Sequence, residues 1–427
     1  MTNPGNTVSS TGSLADLLVT DLPFDASSEA CLRDPYYFYE KIRTQSGPIH
    51  RTPSGSVLVL GYHEAASVLR DERFGHGAQK AGASTNYGVP ARSFLLTDPP
   101  GHSVQRERAR HPFTARHVER LRARIAATVD SLVADAARSG HADVIADIAR
   151  PLASEVMAEL IGVPERLRPR FEHSAQLLVR GMDPPGLIDA PTRQAIARAR
   201  FALAQDIAGI LRHHTGHTPD LLTVLTEAGP DKTSRAETIA TCAQLIAAGY
   251  ETSVGLIGNG LHALLSHPRE LDQLAATGPS EQAVEKAVEE LLRIDPPIQV
   301  APRSALVSAD IGGVPIEPGT IVLVMLGAAN RDPMVFPDPH RLDLTRRPRH
   351  LAFGLGAHFC LGAALARLEA TLALTAVIRH RPQALDKEVT YSASRIARTV
   401  ESLRVSLQTP PPLQNDAHLG AAVKGAP

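Results

Sequence analysis

The longest helical pattern of this chain lies near its middle and constrains the fold more than any other feature. It begins at Ser234, which forms a capping-box pattern with Glu237, and it ends close to Ser266, just before Pro268. A helix of that length spans roughly 45–50 Å at a rise of about 1.5 Å per residue, which is enough to cross a whole domain. Its residues are apolar on nearly all sides, so we expect it to be buried at the centre of the protein.

Most of the remaining chain also has a helical pattern, and strand patterns are few. Apolar residues recur at three- or four-residue spacing in segments such as HVERLRARIAATVDSLVADAAR. Strands are predicted within Ser54–Gly61, Gly312–Gly327 and Glu401–Leu407, the second being a pair that turns at Pro318-Gly319. The sequence therefore predicts a mainly α fold with small β-sheets (α+β).

Length and composition restrict the class of protein further. No linker or repeat divides the chain, so we expect one domain over residues 21–408, with flexible ends at 1–20 and 409–427. Apolar residues make up 43% and the formal net charge is −1, which gives no electrostatic reason to expect a nucleic-acid partner. The chain shows no signal-peptide pattern or apolar run long enough for a membrane anchor, and its three cysteines suit a reducing compartment. We therefore expect a cytoplasmic protein.

One cysteine in a glycine-rich loop carries the strongest chemical signal. In FGLGAHFCLGAALARLE, Cys360 stands just before a helical pattern, whose first amide groups would stabilise a thiolate. Gly354 and Gly356 permit positive φ, and Gly362 lets the helix start approach a flat partner. A buried structural cysteine is the alternative. No second cysteine lies nearby for zinc, so a lone soft thiolate suits the axial position of a haem iron.

The whole stretch resembles the haem-binding loop of the cytochrome P450 superfamily, F-x-x-G-x-H-x-C-x-G followed by A-x-x-E. The matching residues are Phe353, Gly356, His358, Cys360, Gly362, Ala366 and Glu369. The resemblance implies the cytochrome P450 fold, with the long central helix over one face of haem b. It also implies that Cys360 ligates the iron from a loop on the other, proximal side.

The segment EELLR resembles the E-x-x-R pair that the family places in a helix behind the haem. Glu290 and Arg293 would hold the segment that supports the cysteine loop, with Arg341 as the candidate third member of this ion-pair network and Arg346 as its rival. Taken alone, such a pair at i,i+3 is a common surface ion pair. The segments that follow it, IDPPIQVAPRSAL and ANRDPMVFPDPHRLDLTRR, match the family in order and spacing.

The resemblance also implies where the haem propionates bind. Two carboxylates need cations and hydrogen-bond donors at the porphyrin edge. The segments DPPGHSVQRERAR, VAPRSAL and HFC supply His102, Arg106, Arg303 and His358. We expect His350 to stand behind these residues rather than to contact the haem.

The middle of the central helix resembles the family's oxygen-binding groove, A-G-x-(D/E)-T. Ala248 and Gly249 would leave room for the haem face and O₂. Thr252 is expected to hydrogen-bond into the helix and open a local widening. We interpret Thr252 as a hydrogen-bond donor to the oxygen and Glu251 as a proton relay from solvent.

Partners and substrate follow from the same resemblance. It implies a monooxygenase that uses O₂, receives electrons from a ferredoxin and an NAD(P)H-dependent ferredoxin reductase, and oxidises a hydrophobic small molecule. The run RERARH would present Arg108 and Arg110 to the ferredoxin. A peroxygenase using H₂O₂ and a non-catalytic haem sensor or ligand carrier are the alternatives. The intact acid–alcohol pair of Glu251 and Thr252 disfavours both.

The family's substrate-contacting segments are mostly apolar or small here, with Ala248, Ile298 and Val300 expected nearest the iron. Apart from the central helix, they are Phe74–Leu96, Leu177–Arg193, Ile298–Val300 and Arg398–Val400.

Overall fold

A computed structural model describes most of the chain. The described residues are 22–26, 28–77, 93–183, 188–213, 220–227, 234–276, 278–394 and 396–408. The segments predicted to be flexible, 1–20 and 409–427, lie outside them, as do residues 78–92 and 184–187 of the predicted substrate-contacting segments.

Helices dominate this part of the chain. The α-helices are α1 (Glu29–Arg33), α2 (Pro35–Ser46), α3 (Tyr62–Arg70), α4 (Gly101–Ala109), α5 (Ala115–Ser139), α6 (Arg150–Ile161), α7 (Arg168–Val179), α8 (Ala190–His213), α9 (Leu221–Glu227), α10 (Arg235–Leu265), α11 (Pro268–Ala275), α12 (Glu281–Ile294), α13 (Leu326–Ala329) and α14 (Ala363–Arg379). No helix among the described residues is both long and apolar enough to span a bilayer.

The strands are short. They are β1 (Ile49–Arg51), β2 (Val57–Val59), β3 (Phe74–Gly75), β4 (His141–Asp143), β5 (Val300–Ala305), β6 (Ala309–Ile311), β7 (Val314–Ile316), β8 (Ile321–Met325), β9 (Gln383–Ala384) and β10 (Arg404–Ser406). They form a five-stranded sheet in the order β1-β2-β8-β5-β3, a three-stranded sheet β4-β10-β9 and the pair β6-β7. The prediction of a mainly α fold with small sheets is confirmed.

The predicted pairing of the two strands around Pro318-Gly319 is wrong. The strand before the turn, β7, pairs with β6, whereas β8 lies between β2 and β5 in the larger sheet. Gly312 and Gly313, both at positive φ, join β6 to β7 as a local hairpin. Because this connection is short, β7 pairs with β6 and not with β8. Strand β8 pairs with β2 and β5 in the five-stranded sheet.

The central helix α10 is confirmed with both of its predicted ends. The Ser234 hydroxyl accepts a hydrogen bond from the Glu237 amide, and the Glu237 carboxylate accepts one from the Ser234 amide. The helix packs against α6, α7, α8, α12 and α14, and most of its side chains are buried. It therefore forms the centre of the fold.

Candidate functional site

A cavity of about 340 Å³ lies between the middle of α10 and the Cys360 loop. Its lining is mostly apolar. The predicted site residues that line it are Arg106, Ala248, Gly249, Thr252, Arg303, Phe353, His358, Cys360 and Gly362. The structure therefore brings nine of the eleven predicted residues to one space, whereas His102 and Glu251 are not among the lining residues.

Glycines shape the loop that presents Cys360. Gly354 and Gly356 have φ of +66° and +70°, as the sequence predicts. A Cβ at Gly356 would lie 2.5 Å from the Leu69 carbonyl oxygen, so a larger residue would push the loop away from α3. The Cys360 amide donates to the Phe353 carbonyl at 2.9 Å and closes the loop. The sulfur is thus held at the cavity wall by backbone contacts.

The surroundings of the Cys360 sulfur are suited to a metal ligand. Burial raises the pKa of the Cys360 thiol, while a hydrogen bond from the Gly362 amide and the charges of Arg106 and Arg367 act in the opposite direction. Helix α14 begins one residue after Gly362, so its N-terminal end faces this region. Coordination to a metal cation would replace the proton and remove the cost of a buried thiolate.

Buried donors collect at one edge of the cavity. The rings of His102 and His358 lie 4.2 Å apart, and Arg303 is buried beside them. Among the described residues, neither ring nitrogen of His102 finds a hydrogen-bond partner, although the residue is only 1% exposed. Burial, reinforced by neighbouring cations, lowers the pKa of His358 to about 2. An edge with surplus positive charge and unsatisfied donors fits the two carboxylates of haem b.

The opposite wall is the middle of α10. The Thr252 hydroxyl donates to the Ala248 carbonyl at 2.6 Å, so the predicted hydrogen bond into the helix is confirmed. The predicted local widening is not seen, since residues 235–265 form one continuous α-helix. A carbonyl oxygen has two lone pairs and can accept from the hydroxyl without losing its helical hydrogen bond.

Two neighbours of Thr252 have surroundings that the sequence could not show. A Cβ at Gly249 would lie 2.7 Å from the Met157 sulfur, so this glycine also makes room for α6. Glu251 is half-buried beside the lining, and burial raises its pKa although Thr399 and Arg150 act against the shift.

The ion-pair network behind the Cys360 loop is formed, with a different third member from the one we favoured. Glu290 and Arg293 are both fully buried and join through two hydrogen bonds of 2.8 Å. The Arg346 guanidinium completes the network, 3.3 Å from the Glu290 carboxylate. Arg341 contributes only its backbone carbonyl, which accepts from Arg293 at 3.0 Å. The preference for Arg341 is therefore wrong, and Arg346 takes its place.

The prediction that Val300 of β5 lies near the iron is wrong, because Val300 does not line the cavity. Side chains alternate between the faces of a strand, so Ala301 and Arg303 line the cavity together. Val300 points to the other face, where it packs with Tyr36 of α2. Ile298, just before the strand, lines the cavity as predicted.

Two other predicted residues also lie away from the cavity lining. Arg398 pairs with Asp295 at 2.8 Å, and Ile396 of the same loop lines the cavity instead. His350 hydrogen-bonds the Glu289 carboxylate at 3.2 Å, which agrees with its expected place behind the site.

Sequence analysis missed His76, which lines the cavity and stands edge-on to the His358 ring with 4.8 Å between ring centroids. The available signal was a histidine between two glycines, directly after a short strand.

Known proteins are similar to this chain in sequence and in fold. A family model described as Cytochrome P450 matches residues 280–389. The chain is similar to the cytochrome P450 monooxygenase PikC of Streptomyces venezuelae, at 40% identity over 83% of this chain and 85% of the relative. It is 36% identical to the 6-deoxyerythronolide B hydroxylase of Saccharopolyspora erythraea, covering 91% of this chain and all of that one (100%).

Solved structures agree with these relatives. The structure of P450BioI in complex with hexadec-9Z-enoic acid ligated acyl carrier protein superimposes with a TM-score of 0.82 at 33% identity, covering 89% of this chain and 100% of that chain. CalO2 superimposes with a TM-score of 0.83 at 29% identity, covering 91% and 99%. With its cysteine loop facing a central helix across an apolar cavity, this chain belongs to the cytochrome P450 family of haem b monooxygenases, in its bacterial form.

Proposed function

We propose that this cytoplasmic enzyme receives electrons from a ferredoxin and its NAD(P)H-dependent reductase and hydroxylates or epoxidises a hydrophobic small molecule, in secondary metabolism or catabolism. The observation that carries the proposal is one apolar cavity whose walls bear both the Cys360 sulfur and the Thr252 hydroxyl. Haem b, when bound, supplies the reductive activation of O₂. The roles of the protein's own residues follow from their places around that cavity.

We assign the residues around the cavity to three groups. One residue ligates the haem iron, a second group borders the two faces of the haem, and a third group binds its two propionates. In this assignment Cys360 would ligate the iron, and Phe353 and Gly362 would border the same side of the haem. Ala248 and Gly249 would border its other side. The propionates are held by the cations and donors at the cavity edge, which are His102, Arg106, Arg303 and His358.

Thr252 and Glu251 are assigned to proton delivery. The Thr252 hydroxyl borders the cavity and can turn from the Ala248 carbonyl to donate toward the cavity. Because burial raises the pKa of Glu251, its carboxyl group holds a proton at higher pH than an exposed glutamate does. Glu251 therefore passes protons toward Thr252, with Thr399 and Arg150 as its polar neighbours.

The substrate is assigned as a bulky hydrophobic molecule such as a terpenoid, steroid, fatty acid or macrolide. The cavity walls away from the haem edge are apolar and include Leu95, Leu245, Ile298, Ala301 and Ile396. Such walls favour apolar ligands and leave few polar groups to fix their orientation. Two similar proteins point the same way, since one is named for 6-deoxyerythronolide B and another was solved with a fatty acyl group on its carrier protein.

The ferredoxin is assigned to the face beside the Cys360 loop. Val104 of α4 and Phe359 are exposed hydrophobic residues there, and the Arg106 guanidinium donates to the Phe359 carbonyl at 2.6 Å. Arg110 pairs with Glu107 at 2.9 Å, which reduces the positive charge it offers to an acidic partner. Arg108 is the remaining basic residue that we predicted for this face.

The deciding experiment measures NADH oxidation, product and H₂O₂ in a system reconstituted with ferredoxin and reductase. The wild-type enzyme should oxidise NADH faster when a substrate is added. The rate of product formation should then equal the rate of NADH oxidation. H₂O₂ supplied alone should support far less product. Efficient turnover with H₂O₂ and none with the electron donors would make the enzyme a peroxygenase instead.

Two variants test the residues. Thr252→Ala should still consume NADH but divert the electrons to H₂O₂, whereas Thr252→Ser, which keeps the hydroxyl, should stay coupled. Full coupling in Thr252→Ala would refute the assignment. Cys360→Ala should lose the shifted Soret band of the reduced CO adduct, and an unchanged band would refute the role of Cys360 as the iron ligand.

A further inference from the structure

His76 is a buried histidine at the cofactor edge of the cavity whose role the family motifs do not assign. Its side chain is 6% exposed and lines the same cavity as Arg303 and His358. Its ring stands edge-on to the ring of His358, at an interplanar angle of 80°. The residue is therefore placed among the groups that face the carboxylates of the haem.

The local backbone places His76 beside Arg303. In the antiparallel pair β3–β5, Phe74 faces Ala305 and Gly75 faces Ser304. Continuing this register by one residue places His76 opposite Arg303. Sequence neighbours alone could not show this, since the two residues are more than two hundred positions apart.

Asp98 and a glycine hold His76 in that place. The His76 amide donates to the Asp98 carboxylate at 2.7 Å. A Cβ at Gly75 would lie 2.4 Å from the same carboxylate oxygen, so only glycine lets Asp98 come this close. The backbone at Gly75 and His76 is thus anchored against Asp98.

His76 forms part of the cavity wall itself. His102 lies behind His358 and is not among the lining residues, whereas His76 is. The charged groups around this edge are Arg106 and Arg303, with Asp98 as the acid that acts on Arg303 and on the His102 ring. One Asp98 oxygen accepts the His76 amide and the other is buried without a partner among the described residues, so this single acid faces two arginines and the cavity edge keeps a surplus of positive charge.

We propose that the His76 imidazole donates a hydrogen bond to a haem propionate, next to Arg303 across the β3–β5 register, and so anchors the cofactor. This inference rests on the haem of the family and on no assumption about ferredoxin or substrate.

The test compares haem retention in purified holoenzymes. Transfer of haem to excess apomyoglobin should be about tenfold faster for His76→Leu than for wild type, because a hydrogen bond to a charged carboxylate is lost, and a tenfold change corresponds to about 1.4 kcal/mol. His76→Gln, which keeps a side-chain N–H donor, should stay close to wild type. His63→Leu, on the exposed face of α3, is the matched control and should change nothing.

The same proteins give a second readout that a purely structural role would not move. The propionate bending band in the resonance Raman spectrum should shift in His76→Leu and stay in place in His76→Gln. Equal haem loss from the Leu and Gln variants would reduce His76 to a packing residue and overturn the proposal. An unshifted propionate band in His76→Leu would overturn it as well.

Discussion

Two buried charged clusters lie close to the cavity, and they differ in how their charges are balanced. In the network behind the Cys360 loop, Glu290 and Arg293 have no exposed surface, and Arg293 also donates to the carbonyls of Asn330, Pro339 and Arg341. At the cavity edge, the buried Arg303 guanidinium donates to the adjacent Pro302 carbonyl. The charges of the first cluster, which we call the balanced cluster, are paired within the chain, whereas the second cluster carries surplus positive charge.

The difference separates a structural role from a binding role. Burying a charge is costly unless it is paired, so a fully paired cluster requires no further ligand. A cluster with surplus buried positive charge suits a ligand that supplies negative charge, and haem b carries two carboxylates. The same residue types therefore serve two purposes, and only their partners distinguish them.

The largest expected effect is at the balanced cluster. Glu290→Ala would leave Arg293 as an uncompensated buried charge, so the free energy of unfolding should fall by about 3–5 kcal/mol. Arg138→Ala, which breaks the exposed pair with Asp135, should change it by at most about 1 kcal/mol. Denaturant unfolding followed by circular dichroism compares them. Equal losses in the two variants would remove the distinction between a buried scaffold and a surface pair.

The next effect concerns Glu369, a buried acid in the cavity wall that has no cationic partner in the part of the chain that the structure describes. Burial raises its pKa to about 8, although a hydrogen bond with Ser253 acts in the opposite direction. The folded protein therefore favours the protonated form. This contribution to stability is complete below the unfolded pKa of about 4.3 and is lost as the pH rises through about 8.

Glu369→Gln should remove this pH dependence. Relative to wild type, the variant should gain stability as the pH rises from about 5 to 9, by an amount on the order of a few kcal/mol, since one pKa unit corresponds to about 1.4 kcal/mol. Unfolding measured across that range checks the sign. A difference that does not vary with pH would show that Glu369 is already ionised in the folded protein.

A smaller effect separates the two candidate third members of the balanced cluster. Arg346→Ala removes a side chain that contacts the Glu290 carboxylate and should cost about 1–2 kcal/mol. Arg341→Ala should cost less than about 0.5 kcal/mol, because Arg341 contributes only its backbone carbonyl. Thermal unfolding of both variants measures the contrast. The reverse order would restore Arg341 as the third member.

The smallest effect on unfolding is expected in the second cluster, at the cavity edge, where positive charge is in surplus. Arg303→Leu removes a buried cation whose partners are few, so secondary structure and denaturant resistance should change little. Haem transfer to apomyoglobin should nevertheless accelerate by about tenfold, because a charge-assisted contact to a propionate is lost. A variant that unfolds readily but retains its haem would place Arg303 in the scaffold instead.

Local features of this protein were predictable from the sequence because their causes lie within a few residues. The capping box at Ser234 and Glu237 sets where α10 begins, and the two contacts are three residues apart. Positive φ at Gly354 and Gly356 follows from the absence of a Cβ. The match of the Cys360 loop to a known family then predicted the haem site and the fold together.

Features that depend on distant pairings were decided only by the tertiary structure. The face of β5 that carries Val300, the choice of Arg346 over Arg341 and the position of His76 each depend on residues far away in the chain. The same is true of the charge balance that separates the two clusters. A sequence shows which side chains can be charged, but their partners are set by packing, and the partners determine whether a buried charge supports the fold or binds a ligand.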